Sequence, residues 1–277
     1  MPIAKIGDID IYYEAQGQGE PVLLAPPSWW PSDTWKVSVV PFLSRRYRTI
    51  IFDCRGTGFS SKPDYGYTIS QFAEDCAKLL EHLKISRCHT AGFALGGQIV
   101  QALAIERPDL VATLTIAAAG AGMRATSGAP REVLNTDEKE IREHGFERFI
   151  RGHIENTHMA FDPKFYKESP EVVQELSDAL WKRQTSPEQH QYHYEARRTW
   201  DTLGNAPKVK VPTLILCGAE DDVNRGGSTP VGTARKLAEL VPACELALVP
   251  NVKHMTFWDG DGALIALQDF LQRHPIQ

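Results

Sequence analysis

Residues 90–98 read Thr90-Ala91-Gly92-Phe93-Ala94-Leu95-Gly96-Gly97-Gln98, and how they are read decides the fold. The short apolar run Cys88 to Ala91 leads in, as a strand. A helical pattern, Leu95 to Glu106, leads out and stops at Arg107-Pro108, where proline pushes the preceding residue away from helical dihedrals. A sharp strand-to-helix turn drives the backbone against its neighbours, so its flanking positions have to be glycine. Gly92 and Gly96 meet that need. Turns of the form G-x-S-x-G hold up a serine, but here the central residue is Ala94. A G-x-x-x-G pair alone fits a close helix–strand contact equally well, so the rest of the chain has to decide.

Working outward, the same alternation repeats. Ile9 to Gln16 reads as a strand, Pro21 to Ala25 as a short buried strand, and Arg48 to Asp53 as another. Between Ser70 and Leu83 the residues Phe72, Cys76, Leu79, Leu80 and Leu83 recur at helical spacing, with Ser70 as the expected N-cap. A strand at Val111 to Ala118 follows. From about Gly120 to Ala206 the pattern changes to charged, aromatic, helix-like sequence. Strand–helix order then resumes with Val211 to Gly218, a helix near Thr233 to Leu240, a strand at Glu245 to Val249 and a helix around Leu264 to Leu271. Short apolar strands between amphipathic helices imply a mostly parallel, twisted sheet covered on both faces. The expected organisation is an α/β core, residues 1–119 and 206–277, carrying an inserted helical cap, residues 120–205.

Composition narrows the function class. The 277 residues are 42% hydrophobic and 23% charged, enough for one large core, and the net charge of −5 with no basic block argues against a nucleic-acid partner. Five cysteines, Cys54, Cys76, Cys88, Cys217 and Cys244, lack C-x-x-C spacing and read as small buried hydrophobes in a reducing compartment. No stretch has the basic start and apolar block of a signal peptide, and none reaches the roughly 18 to 20 apolar residues that span a bilayer. The expectation is a cytoplasmic protein acting on a small molecule, with no membrane partner and an oligomeric state open between monomer and homodimer.

Two further segments give the turn a chemical meaning. "LILCG" is followed by Ala219-Glu220-Asp221-Asp222, a carboxylate just past a strand end, where open α/β sheets bind ligands. After the next strand, "NVKHMTFWD" places His254 in a loop. Each alone has a bland reading, a helix cap and an exposed histidine. Together, in the order elbow, acid, histidine, they suit a catalytic triad lacking its first member. Asp222 is the fallback acid should the register slip by one.

With these residues in place the chain resembles the α/β-hydrolase fold superfamily over nearly its whole length, cap included. "FDCRGTGFSS" (Phe52 to Ser61) resembles the superfamily's D-x-R-G-x-G-x-S segment, and "LLAPPSWWPSDTW" lies where its H-G oxyanion loop stands. Arg55, Gly56 and Gly58 match that motif in a structural rather than a chemical capacity. The resemblance implies catalytic positions at Ala94, Asp221 and His254, and an oxyanion hole from the backbone N–H of Leu95 and, by register, of Ser28. Pro26-Pro27 departs from the usual His-Gly, and proline has no N–H to donate.

Ala94 is the larger departure. Loss of a triad serine costs roughly a millionfold in turnover, leaving on the order of a thousandfold over water. In one reading the chain is a nucleophile-lacking, serine-to-alanine form of a Ser-His-Asp hydrolase of esters or lactones, an esterase or lactonase of low activity. In another, Ala94 is native, and His254 with Asp221 acts as a general base on a labile substrate, a contribution of roughly 100- to 10,000-fold. The G-x-A-L-G elbow and R-G-T-G segment are similar to those of the aminoacrylate hydrolase family, which fits the second reading. A third reading is a binding protein that keeps the pocket without catalysis.

For the pocket, Trp29 and Trp30 in the oxyanion loop, and Phe93 beside the elbow, are candidate walls. Trp181 and Tyr194 are candidates from the aromatic cap stretch, Leu180 to Trp200. His190 and His193 stand at i, i+3, but nothing completes a metal set with them. No phosphate loop or dinucleotide fingerprint is present, proton-transfer and acyl chemistry needs no cofactor, and none is expected.

Overall fold

The computed structural model describes residues 2–119, 136–183, 185–222 and 229–276. Eight strands form one sheet: β1 (Ile3–Ile6), β2 (Ile9–Gln16), β3 (Pro21–Ala25), β4 (Arg48–Phe52), β5 (Cys88–Phe93), β6 (Val111–Ala117), β7 (Thr213–Gly218) and β8 (Cys244–Val249). Their spatial order is β1-β2-β4-β3-β5-β6-β7-β8. The first two strands are antiparallel, and every pairing from β4 to β8 is parallel. β3, β5, β6 and β7 are buried almost throughout, as strands covered on both faces must be. This is the α/β-hydrolase fold.

The helices divide by face. α1 (Val39–Leu43) and α11 (Gly262–Arg273) cover one face, where Val22 and Leu24 of β3 meet Val40, Leu267 and Phe270. α2 (Ile69–His82), α3 (Leu95–Glu106) and α10 (Pro230–Leu240) cover the other, and Leu23 of β3 shares a core there with Phe72, Ile99 and Leu237. The period-2 alternation of β3 thus feeds two separate cores. α3 is apolar nearly all round and is buried accordingly.

Between β6 and β7 the chain forms helices only, among the described residues: α4 (Thr136–His144), α5 (Phe146–Glu155), α6 (Pro163–Glu168), α7 (Pro170–Lys182), α8 (Pro187–Thr199) and α9 (Thr202–Asn205), with short 3-10 turns. The first part of the inserted segment, residues 120–135, lies outside the described residues.

One local expectation needs correction. The N-cap of α2 is Thr68, whose hydroxyl accepts the Gln71 N–H at 3.1 Å. Ser70 already lies in the helix and donates its hydroxyl to Glu106. Both residues are good caps by type, and the extended backbone at Thr68 decides between them. The strand β1, joined to β2 through Gly7 at φ 62°, has only four residues and is too short to show a period of its own in the sequence.

Candidate active site

The elbow is built as its glycines require. A Cβ on Gly92 would come within 2.1 Å of the Gly96 carbonyl oxygen, and one on Gly96 within 2.0 Å of the Ala25 oxygen. Larger residues at either position would force strand and helix apart. Ala94 sits between β5 and α3 at φ 51°, ψ −112°, its N–H bonded to the Ala117 oxygen and its carbonyl accepting the Gly97 N–H. That backbone lies outside the regions L-residues prefer, a strain of about 1–3 kcal/mol that persists only where the surroundings fix it. Leu95 begins α3, so its N–H is one of the four that a helix cannot satisfy internally.

The acid and the histidine arrive from the ends of the next strands. Asp221, three residues past β7, is buried, and its Oδ2 lies 2.8 Å from His254 Nδ1. The carboxylate can only accept, so Nδ1 carries a proton and donates it to Asp221, leaving Nε2 as the nitrogen not engaged by the acid. Asp222 is exposed and takes no part. The His254 ring lies 5.3 Å from that of Phe93, the residue preceding Ala94, which brings the three segments to one rim of the sheet.

The histidine loop is braced on both sides. Asp259 Oδ2 accepts the Lys253 N–H at 2.9 Å and, from the cap, the Asp162 N–H at 2.8 Å. The Met255 N–H donates to the Ala160 oxygen, and the Val252 N–H to Glu220. Burial pushes the Asp259 carboxyl up to about 6. Sequence reading assigned Asp259 no role.

The loop after β3 is held just as closely. Asp53, fully buried, accepts both the N–H and the hydroxyl of Ser32 at 2.7 Å. Its other oxygen takes the Phe59 N–H and the Arg183 guanidinium, which also pairs with Asp33 and lies 4.3 Å over the Phe59 ring. A Cβ on Gly58 would fall 2.0 Å from the Asp53 carboxylate, so the R-G-T-G segment serves close packing here. Arg55 makes a buried bidentate pair with Asp75.

The candidate pocket residues separate. Trp30 packs on Phe93 and Trp258, and Trp258 stacks on Trp35. Trp29, at φ 58°, sets its ring against His153 of α5 and His190 of α8. Tyr194, in α8, is buried beneath Arg197 and Arg198. Trp181, in α7, is 40% exposed with Arg151 over its ring. His193 is fully buried. Its Nδ1 accepts the Trp29 N–H at 3.2 Å and its Nε2 donates to the Arg55 oxygen at 2.8 Å, so neither nitrogen is open to a metal. Loss of solvation lowers its pKa to about 4. Among the described residues no three His, Cys, Asp or Glu side chains converge as a metal set. Four of the five free thiols are buried, and burial raises them. No helix among the described residues is long and apolar enough to cross a membrane.

Strand order, elbow, acid and histidine define a class, and comparison agrees: the chain belongs to the alpha/beta hydrolase fold family, whose pattern matches residues 27–261. Among curated relatives it is 28% identical over 249 residues to the "Putative carbamate hydrolase RutD" of Azorhizobium caulinodans, covering 90% of this chain and 89% of that one. It is 29% identical over 218 residues to 3-oxoadipate enol-lactonase 2 of Acinetobacter baylyi, covering 78% of each. The enol-lactonase structure from Burkholderia xenovorans superposes with a TM-score of 0.81 at 24% identity, covering 98% of this chain and all of the other, a likeness of fold.

Proposed function

We propose that this protein hydrolyses a small, activated carbonyl compound, of carbamate or enol-lactone type, by direct attack of water. The observation that carries the reading is the His254–Asp221 pair, formed at 2.8 Å and set against Phe93 beside a side chain that cannot act as a nucleophile. In this scheme His254 Nε2 takes a proton from water as its oxygen bonds to the carbonyl carbon lying over the Ala94 methyl. The electron pair displaced from the C=O is held by the N–H groups of Leu95 and Ser28. When the C=O re-forms, the bond to the leaving group breaks, and that group takes the proton from His254. Asp221 keeps the imidazole in the required tautomer throughout. General-base help of roughly 100- to 10,000-fold is enough where the substrate is already labile. The names of the carbamate hydrolase and enol-lactonase relatives support this substrate class.

A second reading rests on the elbow itself. The strained backbone at Ala94 is what displays a nucleophile in ester and lactone hydrolases. On that reading serine at this position restores an acyl-enzyme route.

One set of assays tests both. Carbamates, enol lactones and p-nitrophenyl esters are given to the unaltered chain, to His254→Ala, to Asp221→Asn and to Ala94→Ser. Expected are carbamate or enol-lactone turnover by the unaltered chain, its loss by about 100-fold or more in His254→Ala, and gain of p-nitrophenyl ester turnover in Ala94→Ser. Turnover indifferent to His254 in both backgrounds refutes hydrolysis at this site and leaves a binding protein.

A further inference from the structure

Ser28 and Trp29 are the central pair of a turn closed by the Trp30 N–H on the Pro27 oxygen, at 3.4 Å. The peptide bonds are trans, so an N–H points opposite to the C=O of its own peptide unit. With the Pro27 carbonyl turned in toward Trp30, the Ser28 N–H faces out of the turn. Trp29 occupies the third position of this turn at φ 58°, a conformation ordinarily given to glycine. Such a turn needs an outside hold, and His193 supplies one. Its Nδ1 accepts the Trp29 N–H, while Nε2–H is anchored on the Arg55 carbonyl. The ring is buried between Phe72 and Tyr67, so it stays neutral and keeps the Nδ1 lone pair. His193 belongs to α8, in the cap, and thus spans two loops of the core.

We propose that His193 is a positioning residue: by holding the Trp29 N–H it fixes the Pro27–Trp30 turn in the form that presents the Ser28 N–H to a developing oxyanion. A cap helix thereby sets the geometry of a site built on the sheet. The proposal rests on the hydrolytic reading above.

The test uses p-nitrophenyl acetate as probe in the Ala94→Ser background. His193→Asn keeps an acceptor near the place of Nδ1 and loses the donor to Arg55. His193→Gln keeps a donor near the place of Nε2 and loses the acceptor, and both shed the ring. With positioning, His193→Asn holds kcat within about threefold, whereas His193→Gln lowers it by about tenfold or more with KM changed by less than about twofold. Amide hydrogen exchange at Trp29 stays slow in the first and accelerates in the second. Equal loss in both variants, greater loss in His193→Asn, or faster Trp29 exchange without a fall in kcat overturns the proposal. Where a variant folds poorly, the imidazole ¹⁵N resonances of His193 in the unaltered chain decide: a proton on Nδ1 overturns it, and a bare Nδ1 is the expected result. The hydrolytic reading is checked separately with His254→Ala in the same background. Turnover indifferent to His254 in both the unaltered chain and the Ala94→Ser variant removes the hydrolytic reading and the positioning role with it. A His254-dependent enzyme without the Asn–Gln split removes the positioning role alone.

Discussion

Replacing Ala94 by glycine raises stability, although the same exchange lowers it almost anywhere else. The Ala94 backbone, at φ 51° and ψ −112°, is one that glycine adopts freely and alanine does not. Releasing that strain returns about 1–3 kcal/mol. Against it stand about 0.5–1 kcal/mol for the greater freedom of glycine in the unfolded chain and a few tenths for a half-buried methyl. The balance is a gain of about 1 kcal/mol, which in a chain of this length raises the melting temperature by about 2 °C. Ala266→Gly, in the interior of α11, is the control: its dihedrals are helical, and it loses about 1 kcal/mol. Differential scanning calorimetry of the three proteins in one buffer reads both signs. If Ala94→Gly melts lower, as the control does, the elbow stores no strain and its geometry is not imposed by the surroundings.

Two further outcomes follow from the braces around the site. Asp259 has a folded pKa of about 6 against 3.8 for the ordinary carboxyl, so its protonated form is favoured in the fold. The stability it contributes is present below pH 3.8 and is lost as pH rises through 6. Urea denaturation at pH 4 and pH 7 therefore shows Asp259→Asn gaining on the unaltered chain by about 1–2 kcal/mol between the two, after discount for solvent screening. A gap that does not change with pH contradicts the shift. Arg183→Met removes the cation paired with the Asp53 carboxylate, while Asp33 keeps Lys36. With Asp53 wholly buried, the expected loss is about 3–5 kcal/mol, read as a lower urea midpoint with an unchanged slope. A loss under about 1 kcal/mol assigns the pair the small value of a surface contact.

What the sequence shows of this architecture follows from how local each cause is. Gly92 and Gly96 announce the elbow because their requirement is steric and lies within five residues. Asp221 and His254 are legible through order along the chain, each one strand end further on. Local signals mislead where two residues compete, as Thr68 and Ser70 do for one helix start. They are silent where a bond closes across the chain: Arg183 meets Asp53 at a separation of 130 residues, and His193 meets Trp29 at 164. His193 stands out in the sequence only as a possible metal ligand beside His190, because spacing within a helix does not reveal what the helix lies upon. The same gap separates Tyr194, buried, from Trp181, on the surface, although both come from one aromatic stretch.

The order of the strands also bears on how the chain is made. β6 is buried along its full length, yet its outer neighbour β7 leaves the ribosome only after the 95 residues between the two strands, 118–212, have been synthesised. Until then a nascent half-sheet offers an apolar, unpaired border, the kind of surface to which another growing chain can add itself. The segment inserted between these two strands is therefore also a delay during the protein's birth, an interval in which the border of β6 stays unpaired.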